Sequence, residues 1–223
     1  MRNLFKILAF LTITVTFRMP TEDSSSANAP KRERGRLRVA AIMKAAVEVF
    51  AEKGYDVATM TEIAARSGTA IGSLYRFFPS KEALADALLL QYAQHVKHAL
   101  AELEQQVPHM KPDNVADALV DFMLALQSQR SFAISLIDAR GLEANERKRF
   151  REMMRGAIAD IVRKTIPGVT TAKAKVMAAV LLLMLKGLSG AMSEEPAVRA
   201  LLIAEMRELV RMYLASAAGR KRA

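Results

Sequence analysis

The stretch TMTEIAARSGTAIGSLYRFFPSKEAL, residues 59–84, has the spacing of two short helices joined by a tight turn. Thr59 and Glu62 stand three residues apart, which predicts a capping box in which each side chain binds a free backbone N–H of the first helical turn. Gly68 predicts the end of this helix, and Thr69 is able to cap a second short helix. Two such helices around a glycine-containing turn predict a helix-turn-helix.

Helical spacing continues on both sides of this motif. Apolar residues spaced as on one helix face predict a helix over residues 37–53, and Ser80 is a good N-cap for a long helix over residues 81–106. Further helices are predicted at about 113–129, 131–140 and 144–165, from Thr170 or Thr171 to about 192, and from 193–196 to Gly219. Few alternating Val, Ile and Thr residues occur after the first 20 positions, so the predicted fold class is all-α.

The basic residues are unevenly distributed along the chain. The chain has 223 residues, a hydrophobic fraction of 52% that excludes a disordered protein, and a formal net charge of +10. Residues 31–80 carry nine basic and five acidic side chains, whereas residues 81–218 carry 18 and 16. A basic segment beside a nearly neutral one predicts a polyanionic partner, either nucleic acid or an acidic membrane surface. A basic surface that serves only solubility is the alternative.

The sequence contains few candidate metal-binding or catalytic residues. The chain has no cysteine, which excludes disulfides and thiolate metal sites and is compatible with the cytoplasmic location that we predict. A metal site at His95, His98 and His109 is formally possible, but no clear carboxylate partner accompanies them, so we expect no metal and no cofactor. No Ser/His/Asp group, carboxylate pair or phosphate-binding glycine loop is evident, so we expect no enzymatic activity. The apolar run 176–185 is too short to span a membrane, so we expect no membrane partner.

The first 35 residues differ in character from the rest. Residues 4–17 are an apolar run with Arg2 and Lys6 near its start, and Ala27-Asn28-Ala29 resembles a cleavage site, as in a signal peptide. The charged stretch between them argues against a signal peptide, and we prefer a start at Met19, with residues 1–18 as upstream sequence. Residues 20–35 are polar and rich in proline and serine, which predicts disorder that ends in a basic arm. The prediction for residues 1–35 is therefore a disordered or mis-started segment.

The segment from about Arg36 to His95, including IMKAAVEVFAEKGY and TMTEIAARSGTAIGSLYRFFPSKEAL, resembles the DNA-binding head of the TetR family of bacterial transcriptional regulators. The resemblance implies an N-terminal three-helix head with a helix-turn-helix over residues 36–95. It also implies a C-terminal helical body for ligand binding and dimerisation over residues 96–218, before a basic tail at 219–223. The implied protein is a homodimeric repressor of a palindromic double-stranded operator, released by an unknown small-molecule effector.

The resemblance also indicates which residues contact DNA. In a helix-turn-helix the second helix lies in the major groove, with its first residues at the base edges. Ser73, Tyr75 and Lys81 then contact phosphate oxygens, and Ile71 contacts a thymine methyl. Gly72 gives space for close approach of the DNA or of the adjoining helix. The full predicted set is Thr59, Thr61, Thr69, Ala70, Ile71, Gly72, Ser73, Tyr75, Arg76 and Lys81.

Two positions at the start of the second helix depart from the family pattern. The family often has serine where this chain has Ala70, and a polar residue where it has Ile71. We therefore expect weaker polar base readout and a larger share of phosphate contacts, including some from the basic arm at residues 31–38. Tyr75 has a core position as its alternative, whereas Phe78, with Leu74, Phe50 and Ile63, is predicted to form the head core.

The body offers a candidate pocket and a candidate dimer face. Phe122, Met123, Phe132 and Met153 are predicted to line an adaptable apolar pocket, with plain core packing as the alternative. Two seams with spacing 4, 3, 4 predict helices that pack at a shallow angle against a second copy of the chain. They consist of Val176, Val180, Leu183 and Gly187, and of Leu202, Met206, Leu209 and Tyr213. A core formed within one chain is the alternative for these seams.

The function predicted from the sequence is sequence-specific DNA binding by a transcriptional regulator. The alternative is a helical interaction or ligand-binding protein without specific DNA binding. Phosphate contacts make DNA affinity fall as ionic strength rises. A regulator should therefore show salt-sensitive DNA binding, and the alternative protein should not.

Overall fold

The computed structural model describes residues 29–141 and 144–219, apart from the side chains of residues 29–32, 128, 144–146 and 219. All regular structure in these residues is helical, which confirms the all-α prediction. The helices are α1 (Ala29–Lys53), α2 (Met60–Arg66), α3 (Ile71–Phe77), α4 (Lys81–Gln106), α5 (Pro112–Ala125), α6 (Gln127–Ala139), α7 (Ala144–Thr165), α8 (Thr171–Lys186), α9 (Leu188–Ala191) and α10 (Pro196–Gly219). A 3₁₀ turn, Val107–His109, follows α4. The predictions for residues 1–28 and 220–223 lie outside the described residues.

The described residues form two compact units, here called the head and the body. The head comprises residues 29–92 together with Ser131–Gly141, and the body comprises Ala93–Arg130 and residues 144–219. The predicted domain boundary gave residues 131–141 to the body, whereas the structure packs them in the head. The physical reason is apolar burial, since Leu136 lies in the head core and Phe132 packs against it.

Helix α1 begins earlier than the sequence indicated. It starts at Ala29, whereas we predicted a helix from residue 37 and disorder up to residue 35. Lysine, arginine and glutamate have good helix propensity, and Glu33 and Arg36 form an ion pair of 3.7 Å one turn apart. The described part of the predicted basic arm is therefore the first turns of a helix.

The helix-turn-helix forms as the motif predicts, with one difference at the second cap. Thr59 is the N-cap of α2, and its capping box with Glu62 is complete. Gly68 has φ +62°, the left-handed conformation that glycine adopts without strain, and it turns the chain after α2. The cap of α3 is Ala70, which offers no side-chain hydrogen bond, and not Thr69. Thr69 is instead buried in the turn.

The head core joins α1, the helix-turn-helix, α4 and the end of α6. Phe50, Ile63, Leu74 and Phe78 are all buried together, which confirms the predicted core set, and Phe77 packs against them at its edge. Ser80 caps α4 by accepting the N–H of Ala83 at 3.1 Å. The core thus orients α2 and α3 through their inner faces and leaves their outer faces free.

The body is built from two main helix pairs. Helix α7 packs along α8, and α5 packs against α10, which also contacts α8 and α9. Arg211 of α10 donates to both carboxylate oxygens of Asp117 on α5 at 2.8 Å, and Arg207 pairs with Asp121. The fully buried side chains at the centre are Leu119, Ile158, Ile161, Met177, Leu181, Leu185 and Leu188.

The segment Thr171–Ala191 is the most apolar stretch of the described chain. An 18-residue window within these 21 residues has a mean hydropathy of 1.6, so by length and composition the segment is able to span a membrane, which corrects the estimate from the shorter run 176–185. Met177, Leu181 and Leu185 on its inner face are nevertheless buried within the body. A core helix of a bundle has this same composition.

Candidate nucleic-acid interface

Helix α3 presents a mixed polar and apolar outer face. Leu74 is the one buried residue of this helix and fixes its inner face against the head core. Ile71 and Tyr75 are 41% and 48% exposed, and Gly72 and Arg76 are exposed beside them. Residues four apart lie on the same side of a helix, so these four form one surface. The structure thus brings together four of the predicted DNA contacts and places Tyr75 outside the core.

Gly72 has no packing reason within the described chain. A Cβ atom built on it meets no atom within 4 Å. Of the two explanations that the sequence left open, close approach of the adjoining helix is therefore wrong. Glycine in a helix costs about 1 kcal/mol relative to alanine, so Gly72 makes α3 less stable than alanine would, and no contact within the described residues compensates for this.

The remaining predicted residues near the turn differ in exposure. Ala70 and Thr61 are exposed, and Ser73 is partly buried. Thr69 is only 8% exposed, so its side chain offers little surface to a partner. Burial of Thr69 follows from its place in the turn, where its backbone N–H donates to the carbonyl of Ala64 at 3.0 Å.

The hydroxyl of Thr59 is occupied by the capping box. It accepts the N–H of Glu62 at 3.2 Å and donates to the Glu62 carboxylate at 3.0 Å. The ammonium of Lys53 also binds this carboxylate, and together with the backbone N–H and hydroxyl of Thr59 it lowers the pKa of Glu62 to about 2. A phosphate contact from the Thr59 hydroxyl would therefore compete with its hydrogen bonds to Glu62, which cap α2.

Lys81 is bound by carbonyl groups of the loop between α1 and α2. Its Nζ donates to the carbonyl oxygens of Tyr55 at 2.8 Å, Asp56 at 3.0 Å and Ala58 at 3.1 Å. An ammonium has three N–H donors, so these three acceptors account for all of them. We therefore carry Lys81 forward as a residue that positions the loop, and not as a phosphate contact.

Sequence reasoning missed the partners of Lys81 because they are backbone atoms of a distant loop. One signal was present, since a cation in the first turn of a helix is opposed by the helix dipole and needs compensating acceptors. From the sequence we took a DNA phosphate to be the acceptor for the Lys81 ammonium. The loop supplies it instead, because Gly54 with φ +80° ends α1 and turns the following carbonyls toward α4.

The four predicted ligand residues are not brought together in one unit. Phe132 belongs to the head, where it packs against the core, whereas Phe122, Met123 and Met153 belong to the body. Met123 is only 4% exposed, as the alternative of plain core packing predicts. A solvent-open cavity of about 410 Å³ exists in the body, but it is lined by Glu104, Asp160, Arg163, Lys164, Gly168 and Val169.

The predicted dimer seams lie on a face that one chain leaves exposed. On α8, Val176 is 57% and Leu183 is 68% exposed, and on α10 Leu202 and Leu209 are 42% and 45% exposed. Val180, Met206 and Tyr213 are partly buried. A Cβ on Gly187 would lie 3.6 Å from Met206 Cε and 3.1 Å from the carbonyl of Met184, so this glycine lets α10 approach the end of α8.

Comparison with known proteins shows similarity in the head region of the chain. Residues 42–88 match the family model for bacterial regulatory proteins of the tetR family. An uncharacterized HTH-type transcriptional regulator, YvdT of Bacillus subtilis, is 43% identical over 54 residues, which cover 24% of this chain and 28% of that protein. The chain spans less than two thirds of the length of the first curated relatives that it matches.

Two solved structures share the fold over most of the chain. A putative tetR-family regulator from Mesorhizobium loti has a TM-score of 0.63 at 19% identity, over 82% of this chain and 98% of that one. SmeT in complex with triclosan has a TM-score of 0.56 at 19% identity, over 80% of this chain and 90% of that one. The family model thus matches the helix-turn-helix region, residues 42–88, and the solved structures show that the chain shares its fold with regulators of the TetR type.

Proposed function

We propose that this chain is a transcriptional regulator that binds a specific double-stranded DNA sequence through α3. The observation that carries the proposal is the outer face of α3, where Ile71, Gly72, Tyr75 and Arg76 are exposed on a helix fixed from behind by Leu74. Apolar, hydroxyl and cationic groups on one narrow helix suit a thymine methyl, phosphate oxygens and base edges in a major groove.

Two helices, α2 and α3, are held in fixed relation by short connections. The capping box starts α2, and Gly68 turns the chain so that α3 begins after Ala70. A rigid pair of this kind presents the second helix without loop disorder, as base recognition requires. The basic excess of residues 31–80 supplies the attraction for the DNA backbone.

The protein acts as a homodimer in this proposal, with the exposed seams of α8 and α10 as the interface. Apolar side chains repeated at helical spacing on an exposed face lose contact with water when a second copy covers them. Two heads related by a two-fold axis read two half-sites of a palindromic operator about one DNA turn, or a multiple of it, apart. DNA binding then represses transcription.

A small-molecule effector releases the protein from its operator in this proposal. Support comes from the family, since SmeT, which shares this fold, was solved in complex with triclosan. The body is the unit in which we place the effector, with Phe122, Met123 and Met153 as the residues proposed to contact it. Phe132 is left out because it packs in the head.

Selection of duplexes from a random double-stranded DNA pool tests the proposed function. The full chain should enrich an inverted repeat, and the binding constant for the selected duplex should fall steeply as salt rises. A binding constant that does not respond to salt, or a pool in which no sequence is enriched at low salt, would favour a helical interaction protein without specific DNA binding.

A further inference from the structure

The end of α6 completes the head from a distant part of the sequence. Residues 131–141 pack in the same compact unit as the helix-turn-helix. Leu136 is 2% exposed in the head core, and Phe132 packs beside it. Arg140 follows one turn after Leu136 and forms an ion pair with Asp86 of α4. Its side chain is only 11% exposed, so this guanidinium is mostly removed from solvent.

Tyr55 of the α1–α2 loop contacts α4, the helix to which this guanidinium is bound. Its ring packs edge-on against Phe50 with the centroids 5.3 Å apart, and its hydroxyl donates to Glu82 Oε1 at 3.3 Å. Burial raises the pKa of the Tyr55 hydroxyl and the nearby Glu82 carboxylate adds to this, whereas Arg140 acts in the opposite direction. By geometry, Tyr55 and Arg140 bind carboxylates one turn apart on α4, Glu82 and Asp86 respectively.

The loop that holds Tyr55 leads directly into the helix-turn-helix. Lys81 binds the carbonyls of Tyr55, Asp56 and Ala58, and Ala58 is followed by Thr59, the N-cap of α2. The same ammonium lies 4.6 Å from the centre of the Tyr55 ring, a favourable cation–π distance. The position of Tyr55 therefore sets where α2 starts.

We infer that Arg140 is a positioning residue of the DNA-binding head. It binds Asp86 of α4 from the end of α6, and so supports the helix whose Lys81 and Glu82 bind the loop from which α2 and then α3 are placed against DNA. A mostly buried guanidinium forms a charge-assisted hydrogen bond with its carboxylate that a neutral substitute does not reproduce. The inference rests on the proposed function, since it takes DNA binding as the purpose of the head.

The inference also changes what counts as the DNA-binding unit. Residues 36–95, the extent that the sequence indicated, lack Leu136, Phe132 and Arg140. Lys81 of α4 binds three carbonyls of the loop at residues 54–58. The ion pair of Arg140 with Asp86 joins the end of α6 to the same helix, and so supports α4 where it binds the loop.

Hydrogen exchange of the full-length protein, combined with DNA binding, tests the inference. The variants are Arg140→Gln, which removes the charge, and Arg140→Lys, which keeps it. Arg163→Gln in the body is the matched control, because Arg163 also pairs with an aspartate, Asp160, at 3.4 Å but is 49% exposed. The probes are the amides of the segment around Ala58 and a duplex selected from a random pool by the wild-type protein.

Arg140→Gln should speed exchange around Ala58 and weaken binding to the selected duplex, each by about tenfold. Arg140→Lys should restore most of both losses, and Arg163→Gln should change neither. Exchange in the body at α7 and α8 should stay at the wild-type rate in all three variants. This restriction to the head separates a positioning role from general loss of stability.

Each alternative outcome is distinct. Unchanged exchange around Ala58 in Arg140→Gln would overturn the inference, whatever the DNA result. Faster exchange with unchanged DNA affinity would also overturn it, since Arg140 would then stabilise the loop without positioning the helix-turn-helix. Failure of the wild-type protein to select any duplex would instead count against the proposed function, and the effect of Arg140 on the loop would still be read from exchange. If Arg140→Gln does not fold, Asp86→Asn gives the same comparison from the more exposed partner.

Discussion

The Nζ of Lys81 lies 4.6 Å above the ring of Tyr55 and donates hydrogen bonds to three carbonyls of the loop that contains it. The first residue of α4 is thereby tied to the loop that starts α2. Lys81, predicted from the sequence to bind phosphate, therefore makes internal contacts, and it is distinct from the exposed residues of α3 that we propose to contact DNA.

Lys81→Met should weaken binding to a selected duplex by about tenfold without changing the slope of log affinity against log salt. The reason is that the ammonium binds carbonyls and not phosphate. Arg76→Met is the comparison, since Arg76 is exposed on α3 and removal of one phosphate contact lowers the slope by about 0.9. Mobility-shift titrations at several salt concentrations measure both slopes. A slope lowered equally in Lys81→Met would return Lys81 to the set of phosphate contacts.

Acid should destabilise the start of α2 through Glu62. Its pKa falls from 4.5 to about 2 on folding, so its stabilisation is fully present above pH 4.5 and is lost as pH falls toward 2. Glu62→Gln should flatten the pH dependence of head unfolding between these values, because the amide does not titrate. Thermal unfolding followed by circular dichroism at pH 2 to 6 measures this. An unaltered acid profile in Glu62→Gln would mean that other carboxylates dominate.

The helices and the capping box were predictable because their signals are local. The box at Thr59, the turn at Gly68 and the cap at Ser80 each depend on residues at most four apart. Contacts between distant segments were not predictable in this way. The docking of Arg140 on α4 joins positions 54 residues apart, and no periodicity in either segment records that pairing.

The two exposed seams, which we propose as a dimer face, were predictable for a related reason. The residues Val176, Val180 and Leu183 repeat at helical spacing within one helix. This repeat is visible in the sequence whichever helix packs against it. The ligand residues had no such pattern. Phe122 and Phe132 lie on consecutive helices, α5 and α6, and only tertiary packing assigns one to the body and the other to the head.

If the chain dimerises through the seams as proposed, Leu183→Glu should be a monomer and should not bind a two-half-site duplex. A charged group at a position 68% exposed in one chain is tolerated by the monomer but is costly when a second copy covers it. Leu90→Glu is the control, because Leu90 is a leucine on α4 of the head with 58% exposure and lies outside both seams. Sedimentation equilibrium gives the mass of each variant. A dimer that persists in Leu183→Glu would move the interface away from α8.

Gly72→Ala should change stability and DNA binding in opposite directions. Because a Cβ at this position meets no atom within 4 Å, alanine should stabilise α3 by about 0.5–1 kcal/mol through its higher helix propensity. The added methyl group should nevertheless weaken binding to the selected duplex by about tenfold, since it occupies the space kept for the DNA.

Gly68→Ala provides the contrast. It places a side chain at φ +62° and should destabilise the head by about 1–2 kcal/mol, with loss of DNA binding as a consequence of unfolding. Thermal unfolding and mobility shift on the same preparations separate the two glycines. If Gly72→Ala is more stable and binds as tightly as the wild type, the space at Gly72 is not used by DNA, and the contact surface of α3 reduces to Ile71, Tyr75 and Arg76. If Gly72→Ala is more stable and also binds DNA more weakly, the presence of glycine at this position is explained by close approach of the DNA and not by packing within the head.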